Sequence, residues 1–182
     1  MNVPNEPYYS REDSEFFRQV LKKYKGENFL EIGVGQCSNL IDVQPNFSLV
    51  AGTDLNLKKQ NENGHNLEIF KADRASCFRE DSFDVIAFNP PYLPSEAIRD
   101  LAVDGGVGGV EVPLAFLQDA KRVLRKDGTI LVLLSSESSI PIFREFCGLN
   151  NMVPTIVSSQ KLFFEDLYIF EITKCESAKP PR

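Results

Sequence analysis

Asn28-Phe29-Leu30-Glu31-Ile32-Gly33-Val34-Gly35-Gln36-Cys37-Ser38 runs a short apolar segment straight into a glycine-containing turn. The run does not alternate with polar residues, which suits a strand buried on both faces, as in a parallel sheet covered by helices. Glycine lets the backbone turn tightly and approach a ligand with no Cβ in the way. A helix is expected to start near Ser38. Strand, glycine turn and helix in this order open a doubly wound α/β fold.

The rest of the chain extends that reading. Four further apolar runs follow at Leu49–Asp54, Leu67–Phe70, Phe83–Phe88 and Thr129–Leu134, with helix-compatible segments between several of them, notably Val110–Arg125. Ahead of the first strand, Phe16, Phe17, Val20, Leu21 and Tyr24 recur every three or four residues, so Arg11–Tyr24 is expected to be an amphipathic helix closed by Gly26. After a last helix near Ile140–Leu149, the β-rich runs Thr155–Leu162 and Tyr168–Thr173 are separated by a few residues including Glu165 and Asp166. So short a link permits a hairpin but no parallel crossover. The expectation is a Rossmann-like α/β domain over residues 1–176: a mostly parallel seven-stranded sheet with an antiparallel C-terminal hairpin. Residues 177–182 are expected to be a flexible tail.

Composition narrows the function classes. With 182 residues, 42% of them hydrophobic, the chain can bury one complete core without disulfides or structural metal. Its four cysteines show no CxxC spacing and His65 is the single histidine, so no metal site is expected and free thiols in a reducing cytoplasm fit. No apolar run nears the length of a membrane span. The formal net charge of −6 disfavours direct binding to a polyanion such as DNA or RNA. Two basic clusters, Lys22-Lys23-Lys25 and Lys121 to Lys126, read as solvated helix ends.

Nineteen residues beyond Gly35, Asp54 ends the second run, where a carboxylate can accept hydrogen bonds from both ribose hydroxyls of an adenosine. The third glycine of the G-x-G-x-x-G dinucleotide pattern is replaced by Ser38, which leaves the pyrophosphate seat incomplete. S-adenosylmethionine contains adenosine but no pyrophosphate, so it fits better than a dinucleotide. Glu31, Gly33, Gly35, Asp54 and Leu55 are the candidate cofactor residues. Asp73 and Arg74 follow the third run, and Asp73 is also a candidate helix N-cap. Within Glu12-Asp13-Ser14, Asp13 and Ser14 are placed to line the same cleft while starting the first helix.

The fourth run delivers Asn89-Pro90-Pro91-Tyr92 at its carboxyl end, the edge where open α/β sheets bind ligands. Two prolines stiffen the loop and remove two backbone donors, leaving the Pro90 carbonyl as an outward acceptor. A planar NH2 group offers two hydrogens, and the Asn89 side-chain oxygen and Pro90 carbonyl can take one each. The nitrogen lone pair is then drawn out of conjugation, and Tyr92 can stack on the flat group. Asn89, Pro90, Pro91 and Tyr92 are therefore the candidate catalytic residues, with Asn89 also bordering the cofactor. The chemistry is methyl transfer to a planar amide or amino nitrogen.

Together with Gly105-Gly106-Val107-Gly108-Gly109-Val110-Glu111, these motifs occur in an order that resembles the HemK family of protein glutamine N5-methyltransferases. The short branch of that family, which acts on class-one translation release factors, is the nearer likeness. The resemblance covers nearly the whole chain and implies the class I methyltransferase fold, S-adenosylmethionine as cofactor, and an adenine contact for Asp73. It further implies the glutamine of a Gly-Gly-Gln motif as acceptor and a small zinc-containing activator subunit forming a heterodimer; strand addition at a sheet edge, which the sequence leaves unspecified, is the expected mode for such a subunit. Val110 stands where the family usually has Arg, and Tyr9-Ser10 replaces Glu-Pro. Two alternatives stay open at this point: a methyltransferase for exocyclic amines of nucleic acid, and a methyltransferase-like subunit that binds without catalysis.

Overall fold

The computed structural model describes residues 11–35, 38–57, 66–96 and 103–175. The readings of residues 1–7, Tyr9-Ser10, Cys37, His65 and the 177–182 tail lie outside the described residues.

The elements run α1 (Arg11–Leu21), β1 (Gly26–Ile32), α2 (Ser38–Val43), β2 (Phe47–Asp54), β3 (Leu67–Lys71), β4 (Phe83–Phe88), α3 (Glu111–Val123), β5 (Leu124–Ser135), α4 (Ile140–Leu149), β6 (Met152–Lys161) and β7 (Asp166–Lys174). One seven-stranded sheet is formed in the order β3-β2-β1-β4-β5-β7-β6. The first five strands pair in parallel, and β7 inserts antiparallel between β5 and β6. Every expected strand is present, and the C-terminal hairpin has the expected sense.

The central strands are buried on both faces. Phe29, Leu30, Ile86, Ala87, Phe88 and the whole stretch Ile130–Leu134 are essentially inaccessible, which is why they read as continuous apolar runs. Helices α1 and α2 pack on each other, α3 packs on β4 and β5, and α4 packs on β6. The apolar face of α1 is sealed by Phe16, Phe17, Val20 and Leu21. Tyr24, beyond the end of α1, donates its hydroxyl to Glu171 Oε2 on β7 at 2.6 Å.

Three expectations need correction. Gly26 opens β1 rather than closing α1, which ends at Leu21; the Asp84 side chain occupies the space beside Gly26, 3.3 Å from where a Cβ would stand. Strand β5 starts at Leu124, five residues before the apolar run, because Arg125 donates to Asp84 Oδ1 at 2.8 Å and to Glu27 Oε2 at 3.1 Å and so holds a polar strand end. Between β3 and β4 the chain makes turns instead of a helix. Asp73 is therefore no helix N-cap; its backbone carbonyl accepts from Ser76 N–H.

Candidate active site

The β1 exit is hooked onto β2: the N–H groups of Gly33 and Val34 both donate to the Thr53 carbonyl, at 2.8 and 3.0 Å. This bend requires φ of +79° at Gly33 and +50° at Gly35, the left-handed region that glycine enters without a Cβ penalty. Asp54 then ties the two loops together. Its Oδ2 accepts Gly35 N–H at 3.0 Å and its Oδ1 accepts Asn56 N–H at 2.8 Å. Each carboxylate oxygen has further acceptor capacity for a ligand hydroxyl.

A cleft of about 320 Å³ opens along the carboxyl ends of β1, β2, β3 and β4. Gly33, Gly35, Asp54, Leu55, Asp73, Arg74, Asn89 and Pro91, all named from the sequence, line it together with Ile32, Thr53, Asn56, Ala72 and Phe116. Arg74 adopts φ of +47°. Its guanidinium donates to Asp119 on α3 at 2.9 Å and lies 3.3 Å from Asp73, which anchors one wall of the cleft to α3. Phe116 was not evident from the sequence, since its place in the α3 pattern reads as ordinary core.

Glu31, Asp13, Ser14, Pro90 and Tyr92 are not among the cleft-lining residues. Glu31 is buried beneath the glycine turn, where its Oε1 accepts Asn39 Nδ2 of α2 at 2.6 Å and its Oε2 has no hydrogen-bond partner among the described residues. Burial pushes the Glu31 carboxyl up to about 8; the Asn39 hydrogen bond opposes the rise and the Asp54 charge adds to it.

Asp13 sits behind the catalytic-loop candidate. From α1, its Oδ2 accepts Asn89 Nδ2 at 3.1 Å and the Tyr92 hydroxyl at 3.4 Å, while Oδ1 accepts from Ser14. A carboxylate that accepts from Nδ2 fixes the orientation of the Asn89 amide. Asn89 Oδ1 is then the acceptor left over, buried at the rim of the cleft and with no hydrogen-bond partner among the described residues. Tyr92 is itself buried, so Asp13 holds both ends of the Asn89–Tyr92 tetrapeptide.

The glycine-rich segment ahead of α3 is zipped to the same loop. Leu93 N–H donates to the Val103 carbonyl, Gly105 N–H to the Leu93 carbonyl and Ser95 N–H to the Gly106 carbonyl, at 3.1, 2.8 and 3.1 Å. A Cβ on Gly109, whose φ is +66°, would stand 2.2 Å from the Tyr92 carbonyl oxygen, and one on Gly105 2.8 Å from Tyr92 Cα. Ser138 Oγ donates to that Tyr92 carbonyl at 3.1 Å. Val110, in place of the family's Arg, is buried in the core at the start of α3. Glu111 reaches back to accept from Val107 N–H at 3.3 Å.

A parallel sheet whose last strand inserts antiparallel beside its neighbour, with a glycine turn, an acidic β2 end and an Asn-Pro-Pro-Tyr loop on one edge, is the architecture of a class I methyltransferase. No protein-family profile matches the chain. A Methanocaldococcus jannaschii protein that carries the name protein N5-glutamine methyltransferase is 33% identical over 147 residues, 72% of this chain and 73% of that protein. The chain belongs to the protein N5-glutamine methyltransferase family. It is also 26% identical over 146 residues to the release factor glutamine methyltransferase of Caulobacter vibrioides, spanning 66% of this chain and 50% of that longer protein. Among solved structures, the E. cuniculi Mtq2-Trm112 complex responsible for methylation of the eRF1 translation termination factor contains a chain of the same fold. It superposes with a TM-score of 0.75 at 24% identity, covering 93% of this chain and 97% of that one.

Proposed function

We propose that this protein transfers the methyl group of S-adenosylmethionine to the side-chain amide nitrogen of a glutamine, in the Gly-Gly-Gln motif of a class-one translation release factor. The observation that carries the reading is the Asn89 amide: Asp13 engages its nitrogen, which leaves a buried, unpartnered acceptor oxygen beside the Asp54 cleft. Such an atom is costly without a donor, and a substrate NH2 supplies one. The acceptor named for the M. jannaschii and C. vibrioides relatives is the same chemical group.

The residues present fit the cofactor. Gly33 and Gly35 keep the β1 turn free of side chains, Asp54 offers acceptor capacity for ribose hydroxyls, and Asp73 offers a carboxylate for the adenine amino group. The cleft volume is that of a small-molecule site. When bound, S-adenosylmethionine supplies an electrophilic methyl group on a sulfonium.

Asn89 Oδ1 accepts one amide hydrogen of the substrate glutamine, and the Pro90 carbonyl accepts the other. With both hydrogens held, the amide plane is fixed and its nitrogen lone pair is directed along the cleft. Tyr92 braces the loop and offers an aromatic edge to the flat group. The nitrogen becomes acidic as it gains the methyl group, so its proton departs to water without a strong base. Catalysis is positioning, with Asp13 as the positioning residue behind Asn89.

A small activator subunit completes the assembly, a reading supported by the complex in which Mtq2 is found with Trm112. Strand β3 is one free edge of the sheet. Beside it runs a groove of about 570 Å³ whose apolar floor of Leu49, Ala51, Phe70 and Phe78 is flanked by polar residues including Glu68, Arg79 and Glu80, and among the described residues the segment between β3 and β4 makes turns rather than a helix. Strand addition at β3 with apolar packing in the groove is the expected mode. Among the described residues no helix is long and apolar enough to cross a membrane, in keeping with action on the translation machinery of the cytoplasm. The test is transfer of labelled methyl to an intact release factor, with and without the activator, beside tRNA and DNA. Labelling of nucleic acid alone overturns the substrate.

A further inference from the structure

Two phenylalanines lie outside the core formed by the described residues. Phe163 and Phe164, at the turn between β6 and β7, are 92% and 88% exposed, far beyond any other described Phe. The turn is closed by a hydrogen bond from Leu162 N–H to the Glu165 carbonyl at 2.8 Å. Their rings meet edge to face with centroids 4.6 Å apart, so the pair is presented as one preformed aromatic knob.

Its position follows from topology. Strands β5 and β6 are both antiparallel to β7, so β6 runs parallel to β4 and ends on the same edge of the sheet as Asn89. Strand β6 lies three strand spacings from β4, about 14 Å across the sheet. One short segment joins the knob to the catalytic loop. Ser136 exchanges hydrogen bonds with Asp166 at 2.8 and 3.1 Å, and two residues further Ser138 donates to the Tyr92 carbonyl. The β3 edge proposed for the activator is six spacings from β6, about 29 Å, so that subunit leaves the knob open.

We propose that Phe163 and Phe164 dock the body of the acceptor protein: an apolar depression next to the methylated glutamine receives the two rings and sets the approach of the loop. This rests on the protein-acceptor reading above. Exposed aromatic pairs at one place are a common source of binding energy at protein interfaces. Glu165 and Asp166 adjoin the knob and the chain carries a net charge of −6, which disfavours an anionic lipid surface or a polynucleotide as its occupant.

The experiment compares wild type with a Phe163→Ser, Phe164→Ser double variant, each with the activator, on an intact release factor. The expected result is a KM for the release factor raised at least about tenfold, with kcat at saturation, cofactor affinity and Tm preserved. Wild-type labelling with an unchanged KM in the variant overturns the docking role alone. Absence of wild-type labelling overturns the release-factor reading and the docking role together. An unchanged KM accompanied by loss of self-association in light scattering, or of binding to phosphatidylserine vesicles, assigns the knob to a second copy or to a membrane and overturns the proposal.

Discussion

Asp13 and Asn89, 76 residues apart in the chain, meet at 3.1 Å through a carboxylate oxygen and an amide nitrogen. That contact turns an ambiguous side chain into an oriented acceptor. Asn89→Ala should lower kcat about 10²- to 10³-fold, the usual loss when an oriented polar group at a reaction centre is removed. Cofactor affinity measured by calorimetry should stay within about threefold, because Oδ1 acts on the acceptor. A matching loss of cofactor binding would place Asn89 in the wrong role.

Removing the positioning group alone should have a milder form of the same effect. Asp13→Ala frees the Asn89 amide to rotate, and a fall in kcat of about 10- to 100-fold at unchanged cofactor affinity is expected. Asp13→Asn keeps an acceptor oxygen on α1 and should recover part of the rate. If both variants keep wild-type kcat, the orientation of Asn89 does not depend on Asp13.

Asp54 holds both loops of the cleft proposed for the cofactor, through Gly35 and Asn56. Asp54→Ala should weaken S-adenosylmethionine about 10- to 100-fold by removing charge-assisted hydrogen bonds. Asp54→Asn should fall between. Unchanged affinity in titration calorimetry moves the adenosine site elsewhere.

The glycines of the second loop carry a stability signature. A Cβ at Gly109 collides with the Tyr92 carbonyl, a backbone atom with no room to move, and the φ there is positive. Gly109→Ala should cost about 2 kcal/mol or more and lower Tm by about 6 °C. Gly148 in α4 has open space around it and an ordinary helical φ, so Gly148→Ala should gain about 0.5 to 1 kcal/mol. Thermal melts of the two variants that shift in the same direction would contradict this packing.

Glu31 makes stability depend on pH. Its folded-state carboxyl is raised from 4.5 to about 8 by burial, so the folded protein holds a proton that the unfolded chain releases. The stability of the neutral carboxyl is fully present below pH 4.5 and is lost as pH rises through about 8. Tm should therefore decline across that window in wild type, and Glu31→Gln should flatten the decline and melt higher at pH 8. Parallel curves for the two proteins would show that Glu31 does not carry the proton.

The strands were legible in the sequence because burial on both faces writes them as uninterrupted apolar runs, and the hairpin because the link around Glu165 is too short for a crossover. Asp54 and Asn89 were legible because each ends such a run at the ligand edge. Asp13 was placed on the cofactor side because nothing local marks a contact across 76 residues. Glu31 reads as a cleft residue until Asn39, one helix away, is seen to draw it into the interior. The polar start of β5 and the turns after Asp73 were hidden for a related reason. Their backbone is held by partners remote in sequence, Asp84 for Arg125 and Asp119 for Arg74, and no periodicity records such pairs.

The most direct test of the central claim is mass spectrometry of a release factor after incubation with this protein, the proposed activator and S-adenosylmethionine. The expected result is that the peptide containing Gly-Gly-Gln becomes heavier by one methylene, located by fragmentation on the glutamine side-chain nitrogen, and that Asn89→Ala abolishes the gain. A methyl group on any other residue, or an unmodified glutamine despite cofactor turnover, would contradict it.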